Sequence, residues 1–414
     1  MPADPAGRLA GEARWPGDDG RIGVYVHVPF CERVCPYCDF AVTPVRRLPR
    51  ELEARFAGAV LRELELAAPA LAGRPLETVY LGGGTPSLLR PETVARLLGE
   101  LRRALPGPGP REVTLELNPG TAEVERIPAF REAGVDRLSV GVQSFDDRIL
   151  KRLGRAHRAA AARAALEAAG RAGFAELSVD LLYGVPGQEL AALEGDLREL
   201  RAFGPAHVSA YALEIEPGTP YARGVARGVL RLPPEEAVAA AFLRVEEVLA
   251  AGGLRRYEVS NFARPGHEAV HNRRYWLRRP VLGLGPSAVS SRPAGPGTPH
   301  GSRAANPREL GAWLEAVEGG EPERFRSVEV LSPEVARAEA AFLALRTREG
   351  LSARGFEAEF GAPPRAFFGE AIDRLCRAGL LVETGEGDLR LAAKAWLVAD
   401  SVAAEFVPPG EPAR

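Results

Sequence analysis

The sequence predicts an α/β protein, an incomplete (βα)6 barrel followed by a C-terminal α+β module that resembles a winged helix. From residue 22 to 212, short β-branched runs alternate with longer amphipathic segments rich in Ala, Leu, Glu and Arg, the rhythm of β-α units around a parallel sheet. Six units are too few for the usual eight-stranded barrel, so we expect an open sheet with functional residues at the carboxyl ends of its strands. Beyond Leu331 the pattern changes to three helical segments and a candidate hairpin.

The β-branched runs predict the six strands of the barrel. They are expected at roughly Val24 to Val28, Thr78 to Leu81, Val113 to Leu117, Arg137 to Val142, Leu177 to Leu182 and His207 to Ala212. Apolar residues at helical spacing indicate the helices between them, such as Leu52, Phe56, Val60 and Leu64, and the series Thr93, Leu97, Leu98 and Leu101. A further helix is predicted from about Pro234 to Leu249.

Composition divides the chain into four parts. We predict a disordered tail at 1–20, the partial barrel at 21–250, a connecting region at 251–330 and the winged-helix-like domain at 331–408. Within the connecting region, the stretch from Tyr257 to Val289 lacks clear periodicity and is expected to be extended and partly open. The Gly/Pro/Ser-rich passage 291–308 is expected to be a surface loop without helix or strand. The candidate hairpin runs from Leu380 to Leu391.

Charge and cysteine usage narrow the function classes. With 53 basic and 55 acidic residues the formal net charge is -2, so nothing draws the whole chain to nucleic acid or an anionic membrane. The N-terminal residues do not resemble a secretory signal, and no segment has the apolar length of a membrane-spanning helix. Of four cysteines three are clustered, which suits a reducing compartment, and Cys376 on an apolar helical stripe is expected to be an inert core thiol. We therefore expect a cytoplasmic protein with no transmembrane segment and no nucleic-acid partner.

The clustered cysteines follow the first predicted strand. Cys31, Cys35 and Cys38 form Cys-x-x-x-Cys-x-x-Cys, with no fourth cysteine nearby. A cubane iron-sulfur cluster held by three thiolates keeps one iron free for another ligand. The alternative is a structural zinc site with four closed ligands, for which only Asp39 or His27 could supply the fourth locally. The spacing favours a [4Fe-4S] cluster.

A glycine-rich turn follows the second predicted strand. Gly82-Gly-Gly-Thr-Pro86 lacks the Lys-Ser/Thr of a phosphate loop and the spacing of a dinucleotide fingerprint, so alone it indicates only a tight turn. Together with the cysteine motif it resembles the radical S-adenosylmethionine (SAM) superfamily. In that superfamily the free iron chelates the amino and carboxylate groups of SAM, and an electron from the reduced cluster breaks a carbon-sulfur bond to give a 5′-deoxyadenosyl radical. The resemblance implies that this chain binds a [4Fe-4S] cluster and SAM.

The resemblance also implies which residues surround SAM. Later strand ends carry polar residues in segments similar to those of oxygen-independent coproporphyrinogen III oxidase and its relative, the heme chaperone HemW family. By this similarity the SAM-contacting positions are Tyr25, Tyr37, Gly83, Gly84, Thr85, Glu116, Gln143, Arg155, Asp180 and Ala212. A carboxylate and an amide can hold ribose hydroxyls and the methionine ammonium, and a guanidinium can pair with the methionine carboxylate. No residue is firmly assigned a catalytic role.

Two features distinguish the oxidase from the chaperone branch. In the oxidase the cysteine triad continues to a further cysteine two positions on, where this chain has Phe40. The oxidase also carries a longer N-terminal extension that helps enclose its substrate, whereas about twenty residues precede the first predicted strand here. Both differences weaken the oxidase interpretation.

A motif in the connecting region points the same way. His271-Asn-Arg-Arg-Tyr-Trp276 resembles the HNxxYW signature of the heme chaperone branch. It offers an imidazole for axial iron ligation, two aromatic rings for a porphyrin face, and arginines that could pair with propionates. The alternative is a surface loop with an ordinary histidine. The resemblance implies heme binding, with His271, Tyr275 and Trp276 as candidate residues.

The resemblance covers about residues 21 to 405 and implies a heme chaperone of the radical SAM type. Its expected partners are heme and, transiently, heme-accepting respiratory membrane proteins. The main alternative is an oxygen-independent coproporphyrinogen III oxidase, and the third is an iron-sulfur or zinc scaffold without SAM. The sequence leaves open whether SAM is cleaved and whether the protein is a monomer or a homodimer.

Overall fold

The computed structural model describes residues 19–71, 73–292 and 298–407. The first eighteen residues of the predicted tail therefore lie outside the described residues. The strands are β1 (Ile22–Val28), β2 (Phe30–Cys31), β3 (Thr43–Pro44), β4 (Leu76–Gly83), β5 (Glu112–Leu117), β6 (Arg137–Gln143), β7 (Glu176–Tyr183), β8 (His207–Ala212), β9 (Arg255–Arg256), β10 (Asn261–Ala263), β11 (Val281–Leu284), β12 (Val289–Arg292), β13 (Ser302–Ala305), β14 (Ser327–Val330), β15 (Leu381–Glu383) and β16 (Leu389–Leu391).

Helices connect most of these strands. They are α1 (Arg50–Ala67), α2 (Pro91–Ala104), α3 (Thr121–Glu132), α4 (Asp147–Arg152), α5 (Ala159–Arg171), α6 (Leu190–Phe203), α7 (Pro220–Ala226), α8 (Glu235–Ala251), α9 (Val270–Trp276), α10 (Leu310–Glu318), α11 (Pro322–Phe325), α12 (Pro333–Leu345), α13 (Ala353–Phe360), α14 (Pro364–Arg377) and α15 (Ala399–Ala404). Short 3-10 helices occupy Ala68–Leu71, Pro86–Leu88 and Ala393–Val398. The helices predicted from the Leu52, Thr93 and Pro234 series are confirmed as α1, α2 and α8.

Twelve strands form one open sheet in the order β14-β13-β12-β11-β1-β4-β5-β6-β7-β8-β10-β9. The six predicted strands are β1, β4, β5, β6, β7 and β8, which lie side by side in chain order and are all parallel. Because the sheet ends at β14 and β9 instead of closing on itself, the predicted incomplete (βα)6 barrel is confirmed.

Side chains of the parallel strands alternate between two environments. In β5, Val113 and Leu115 are buried in the main hydrophobic core, whereas the intervening Thr114 and Glu116 line a cavity on the other face. This is the two-residue period of a strand. One face of the sheet therefore packs against the helices, and the other carries polar groups that converge on a site.

The connecting region is more ordered than the sequence predicted. The expectation that the Tyr257 to Val289 stretch is extended and partly open is wrong, because β11 pairs in parallel with β1 and both Tyr257 and His271 are buried. Its elements have three, seven and four residues, too few for a period to be read.

The Gly/Pro/Ser-rich passage also contains regular structure. The expectation of no strand in 291–308 is wrong, since β13 lies there and pairs with β12 and β14, while residues 293–297 are outside the described part. Strand β13 reads Ser-Arg-Ala-Ala, without a β-branched residue, so its neighbours in the sheet decide its conformation.

The C-terminal domain holds α12, α13, α14 and the hairpin β15–β16, as predicted. It has its own hydrophobic core, against which Cys376 packs partly buried. Backbone hydrogen bonds attach it to the loop between β9 and β10, where Val259 N donates to Arg346 O at 3.1 Å and Arg348 N to Tyr257 O at 3.0 Å. No described helix combines the length and apolarity needed to cross a membrane.

Candidate cluster and SAM site

A cavity of about 340 Å³ lies on the polar face of the sheet, and its lining extends from the cysteine loop and glycine turn at the carboxyl ends of the parallel strands to Arg137, His207 and Asn272 at their amino ends. Most of the residues predicted for the cluster and SAM line it. They are Cys31, Cys35, Tyr37, Cys38, Gly83, Gly84, Thr85, Glu116, Gln143, Arg155 and Asp180. They meet because parallel strands bring their carboxyl ends to one edge of the sheet. The predicted SAM positions Tyr25 and Ala212 lie on β1 and β8 but are not among the residues that line the cavity.

Backbone pairing holds the cysteine loop over the cavity. Strands β2 and β3 pair in parallel, Val45 N donates to Cys31 O at 2.7 Å, and Cys38 N donates to Cys35 O at 3.1 Å in a turn. All three cysteines are free and partly exposed. The three thiols are therefore presented to the cavity by a fixed loop.

The surroundings of the thiols suit metal-bound thiolates. Burial raises the pKa of Cys31 to about 11 and raises the pKa of Cys38, so cluster binding must displace their protons. Thr85 Oγ1 lies 3.3 Å from Cys31 Sγ and Arg155 Nη1 lies 4.0 Å from Cys35 Sγ, both as possible donors to sulfur. Among the described residues no three His, Cys, Asp or Glu side chains are arranged to hold a single ion. A cubane instead binds each thiolate to a different iron, and these residues fit that group.

The glycine turn brings three chain segments into contact. A Cβ at Gly82 would lie 2.7 Å from the Tyr80 ring, and one at Gly83 would lie 2.5 Å from the His27 imidazole. Gly83 also has a φ of +105°, which L side chains rarely adopt. A Cβ at Gly84 would lie 2.7 Å from the backbone that leads into the cysteine loop. A side chain at any of the three glycines would therefore force a neighbouring chain segment to shift.

Arg155 is held by polar groups of neighbouring strands. Its Nη2 donates to Asn118 Oδ1 and, at 3.0 Å, to Gly141 O, while Asn118 Nδ2 donates to Thr85 Oγ1 at 2.7 Å. In the described part of the chain, the buried Nε of Arg155 has no hydrogen-bond partner. Buried polar atoms are usually paired, so this free N–H at a cavity wall fits an anionic ligand group such as a carboxylate.

Two partly buried carboxyl groups, those of Glu116 and Asp180, also line the cavity. Glu116 accepts hydrogen bonds from Tyr80 OH at 2.8 Å and Gly83 N at 3.0 Å, and burial raises its pKa to about 7. Asp180 accepts from Ser139 Oγ at 3.1 Å, and burial raises its pKa to about 6. Their ionised forms can accept hydrogen bonds from an ammonium group or ribose hydroxyls.

Gln143 reaches the cavity through an unusual backbone. It ends β6 with a φ of +65°, in the left-handed region, just after a register shift in the β6–β7 pairing. Such strained residues concentrate at functional sites.

Sequence reasoning missed part of the cavity wall. The residues not predicted include Tyr80, Thr114, Asn118, Arg137, Ser139, Ser178, His207, Ser209, Tyr211 and Asn272. Many of them occupy alternate strand positions, so a search for polar residues at a period of two within the predicted strands would have found them. Asn272 lies in α9 and carries no such signal.

The HNRRYW motif lies at the opposite, amino end of the strands. It forms α9, whose first N–H groups, from Val270 and His271, donate to the Glu112 carboxylate at 2.7 and 3.1 Å. The His271 side chain is only 1% exposed; its Nδ1 lies 2.8 Å from Thr78 Oγ1 and its Nε2 lies 3.2 Å from Tyr275 OH. Burial lowers the pKa of His271 to about 3, so the ring is neutral.

Two further residues of α9 contact the sheet and the C-terminal domain. The Arg274 guanidinium pairs with Glu77 and donates from Nε to Pro280 O at 3.1 Å, entirely buried. Trp276 lies 5.3 Å below the Arg346 guanidinium of the C-terminal domain. Helix α9 therefore plugs the amino end of the sheet, where the sequence predicted a partly open stretch.

Comparison with known proteins agrees with this arrangement. Residues 25–200 match the radical SAM superfamily, and residues 331–398 match the HemN C-terminal domain. The chain is 32% identical over 386 residues to the heme chaperone HemW of Bacillus subtilis, covering 92% of this chain and 98% of that protein. It is 36% identical over 398 residues to the heme chaperone HemW of Mycobacterium tuberculosis, covering 95% and 96%.

A solved structure shares the fold over nearly the whole length. Coproporphyrinogen III oxidase (HemN) from Escherichia coli superposes with a TM-score of 0.78 at 24% identity, covering 95% of this chain and 91% of that one. An identity of 24% supports the shared fold alone. The two heme chaperone relatives have higher identities, 32% and 36%, over a similar share of the chain. The chain belongs to the heme chaperone HemW family of the radical SAM superfamily.

Proposed function

We propose that this protein is a heme chaperone that holds a [4Fe-4S] cluster and SAM at the carboxyl ends of its strands, binds heme, and passes it to respiratory acceptor proteins in the membrane. It would act from the cytoplasm as a monomer or homodimer. The observation that carries the proposal is the shared cavity of three free thiols, the glycine turn and Arg155. The full-length relatives named as heme chaperones support the choice of branch.

Each wall of the cavity has a proposed task. Cys31, Cys35 and Cys38 hold the cluster, which when reduced supplies the electron for SAM cleavage. The free Nε–H of Arg155 pairs with the SAM carboxylate, while Glu116 and Asp180 accept from its ammonium or ribose hydroxyls. The remaining predicted SAM residues complete the enclosure.

The proposed heme residues are His271, Tyr275 and Trp276. Of the two partners of the His271 ring, Thr78 is fully buried and Tyr275 is 37% exposed. Nε2 is therefore the nitrogen that a heme iron would reach, after the Tyr275 hydroxyl has moved from its position 3.2 Å away. Direct ligation thus predicts a local rearrangement of α9.

Optical titration of anaerobically reconstituted protein with heme tests this proposal. We expect saturation at one heme per chain, loss of that binding in His271→Ala, and binding at least as tight in Tyr275→Phe, which frees Nε2. Unchanged heme affinity and spectrum in His271→Ala would reject the ligand role. Wild-type protein that binds no heme would reject the chaperone.

The alternative is a coproporphyrinogen III oxidase. A cluster and SAM bound in this cavity would permit such chemistry, but Phe40 stands where the oxidase pattern has a further cysteine. We expect no conversion of coproporphyrinogen III to protoporphyrinogen IX in an anaerobic assay with reductant and SAM. Conversion at a rate dependent on the three cysteines would overturn the choice.

A further inference from the structure

A buried series of contacts joins α9 to the glycine turn. The His271 imidazole stacks on the Tyr80 ring, with 5.2 Å between centroids and 29° between planes. The Tyr80 hydroxyl donates to Glu116 Oε1 at 2.8 Å, and Glu116 Oε2 accepts from Gly83 N at 3.0 Å. The series therefore runs from the amino ends of the strands to the cavity at their carboxyl ends.

The His271 end of the series is fixed. The ring is bound at Nδ1 by Thr78, and the backbone N–H of His271 donates to Glu112, so both side chain and backbone are tied to the sheet. The ring is buried and neutral, which suits it to stack on an aromatic neighbour without attracting the nearby carboxylate.

The Tyr80 and Glu116 end is equally constrained. The ring of Tyr25, on β1, lies 6.1 Å from the ring of Tyr80, measured between ring centroids. A Cβ at Gly82 would lie 2.7 Å from the Tyr80 ring and 3.0 Å from Glu116 Oε1. The end of β4 therefore needs glycine at position 82 so that Tyr80 and Glu116 can come into contact. The position of the Tyr80 ring in turn fixes the position of its hydroxyl.

We propose that His271 is a positioning residue of the SAM site: by stacking on Tyr80 it holds the hydroxyl that orients the Glu116 carboxylate toward bound SAM. The inference rests on the SAM binding proposed above. It assigns helix α9, which carries the HNRRYW motif, a role in the SAM site that does not require His271 to contact heme.

Calorimetric SAM titration of cluster-loaded variants tests the inference. His271→Ala removes the stack and should weaken SAM binding about tenfold, the effect of losing one hydrogen bond to a charged group. Tyr80→Phe keeps the stack but removes the hydroxyl, and should weaken binding by a similar factor. The double variant should be no weaker than either single variant, because the two residues act through one contact.

Rescue by phenylalanine separates positioning from a general structural role. His271→Phe keeps a neutral ring on Tyr80 but loses both imidazole hydrogen bonds, and should bind SAM within about twofold of wild type. If the role were structural, this variant would be as damaged as the alanine variant. The matched control is His267→Ala, since His267 lies at the same end of the sheet, 2.8 Å from Glu176, and makes no contact with Tyr80. It should keep SAM affinity within about twofold.

The outcomes separate the inference from the function beneath it. Wild-type protein that holds a cluster but binds no SAM contradicts the proposed function. Wild-type protein that binds SAM, with His271→Ala equal to it, overturns the inference alone. If the alanine variant loses its cluster, Tyr80→Phe decides, and unchanged SAM affinity in that variant overturns the inference as well.

Discussion

The three motifs of this chain lie at the two ends of the parallel sheet, and the two ends differ in how far the motif residues are exposed. At the carboxyl ends, the cysteine loop and the glycine turn border a cavity, and the thiols are partly exposed. At the amino ends, the His271 side chain is buried and both its ring nitrogens have partners. A motif gives the residue types, but the position of its segment relative to the sheet decides whether those side chains line a cavity or are buried against other side chains of the protein.

Two arginines make the difference concrete. Arg155 at the open end leaves a buried N–H without a partner among the described residues. Arg274 at the closed end donates from Nε to Pro280 O and from Nη2 to Arg21 O at 3.0 Å, and pairs through Nη1 with Glu77. The two arginines therefore differ in pairing, but unpaired atoms are not confined to the carboxyl ends, because Trp276 Nε1 in α9 and Arg137 Nη2 at the start of β6 are also buried without a partner among the described residues.

The largest effect should come from the open end. Cys35→Ser removes one of the three proposed cluster ligands, so we expect iron and acid-labile sulfide to fall from about four of each per chain to near zero, with SAM binding lost as well. Elemental analysis after anaerobic reconstitution measures this. Cys376→Ser, at a thiol packed on the C-terminal core, should keep the full cluster. A Cys35→Ser protein that still holds about four iron atoms per chain would contradict the proposal that the three thiols at the carboxyl ends hold the cluster.

The next effect should come from the closed end. Arg274→Met leaves Glu77 buried opposite an apolar side chain; the two side chains are 1% and 2% exposed, and losing one partner of such a pair costs about 3–5 kcal/mol. We expect the lower part of this range because Arg21 and Arg111 also approach Glu77, at 3.3 and 3.4 Å. Urea denaturation of the variant measures the loss.

The neighbouring arginine supplies the control for that variant. Arg273 is 38% exposed and lies 3.8 Å from Glu349, so Arg273→Met should cost less than about 1 kcal/mol. Equal losses in the two variants would show that the closed end is not the rigid element that its buried ion pair indicates.

The smallest effect concerns pH at the open end. Burial raises the pKa of Glu116 to about 7, and its ionised form is the one that accepts from an ammonium group. Below pH 7 binding must first remove the carboxyl proton, so SAM affinity should rise about tenfold from pH 6 to pH 8 and then level off. Titration calorimetry across this range measures the rise.

Other groups near Glu116 define the control. Tyr80, Tyr25 and Tyr211 face it with pKa values raised by burial, so they stay neutral in this range, and Asp180 titrates about one unit lower. Glu116→Gln should therefore remove the part of the rise between pH 6 and 8 that is due to Glu116, and leave only the part due to Asp180 and SAM itself. A profile identical to that of wild type would assign the titration elsewhere.

Much of the fold could be read from the sequence, and the failures have physical causes. The six parallel strands were found because runs rich in apolar and β-branched residues, buried along most of their length, give a strong local signal. Strand β13 and helix α9 were missed because their residues have no matching propensity or period, and long-range pairing with β12, β14 and the start of β4 decides their conformation.

The site divides in the same way. Cysteine spacing was enough to predict a cluster held by three thiolates, and the resemblance to the radical SAM superfamily that the cysteine motif and the glycine turn carry together was needed to predict SAM beside it. Only the tertiary structure decided that the histidine of the HNRRYW motif lies buried against Tyr80 at the far end of the sheet, and that Arg155 lines the cavity with its Nε–H unpaired among the described residues. The reason is that a local sequence pattern gives residue types and spacing, whereas burial and hydrogen-bond partners depend on segments far apart in the chain, such as Thr78 and His271, which are 193 residues apart.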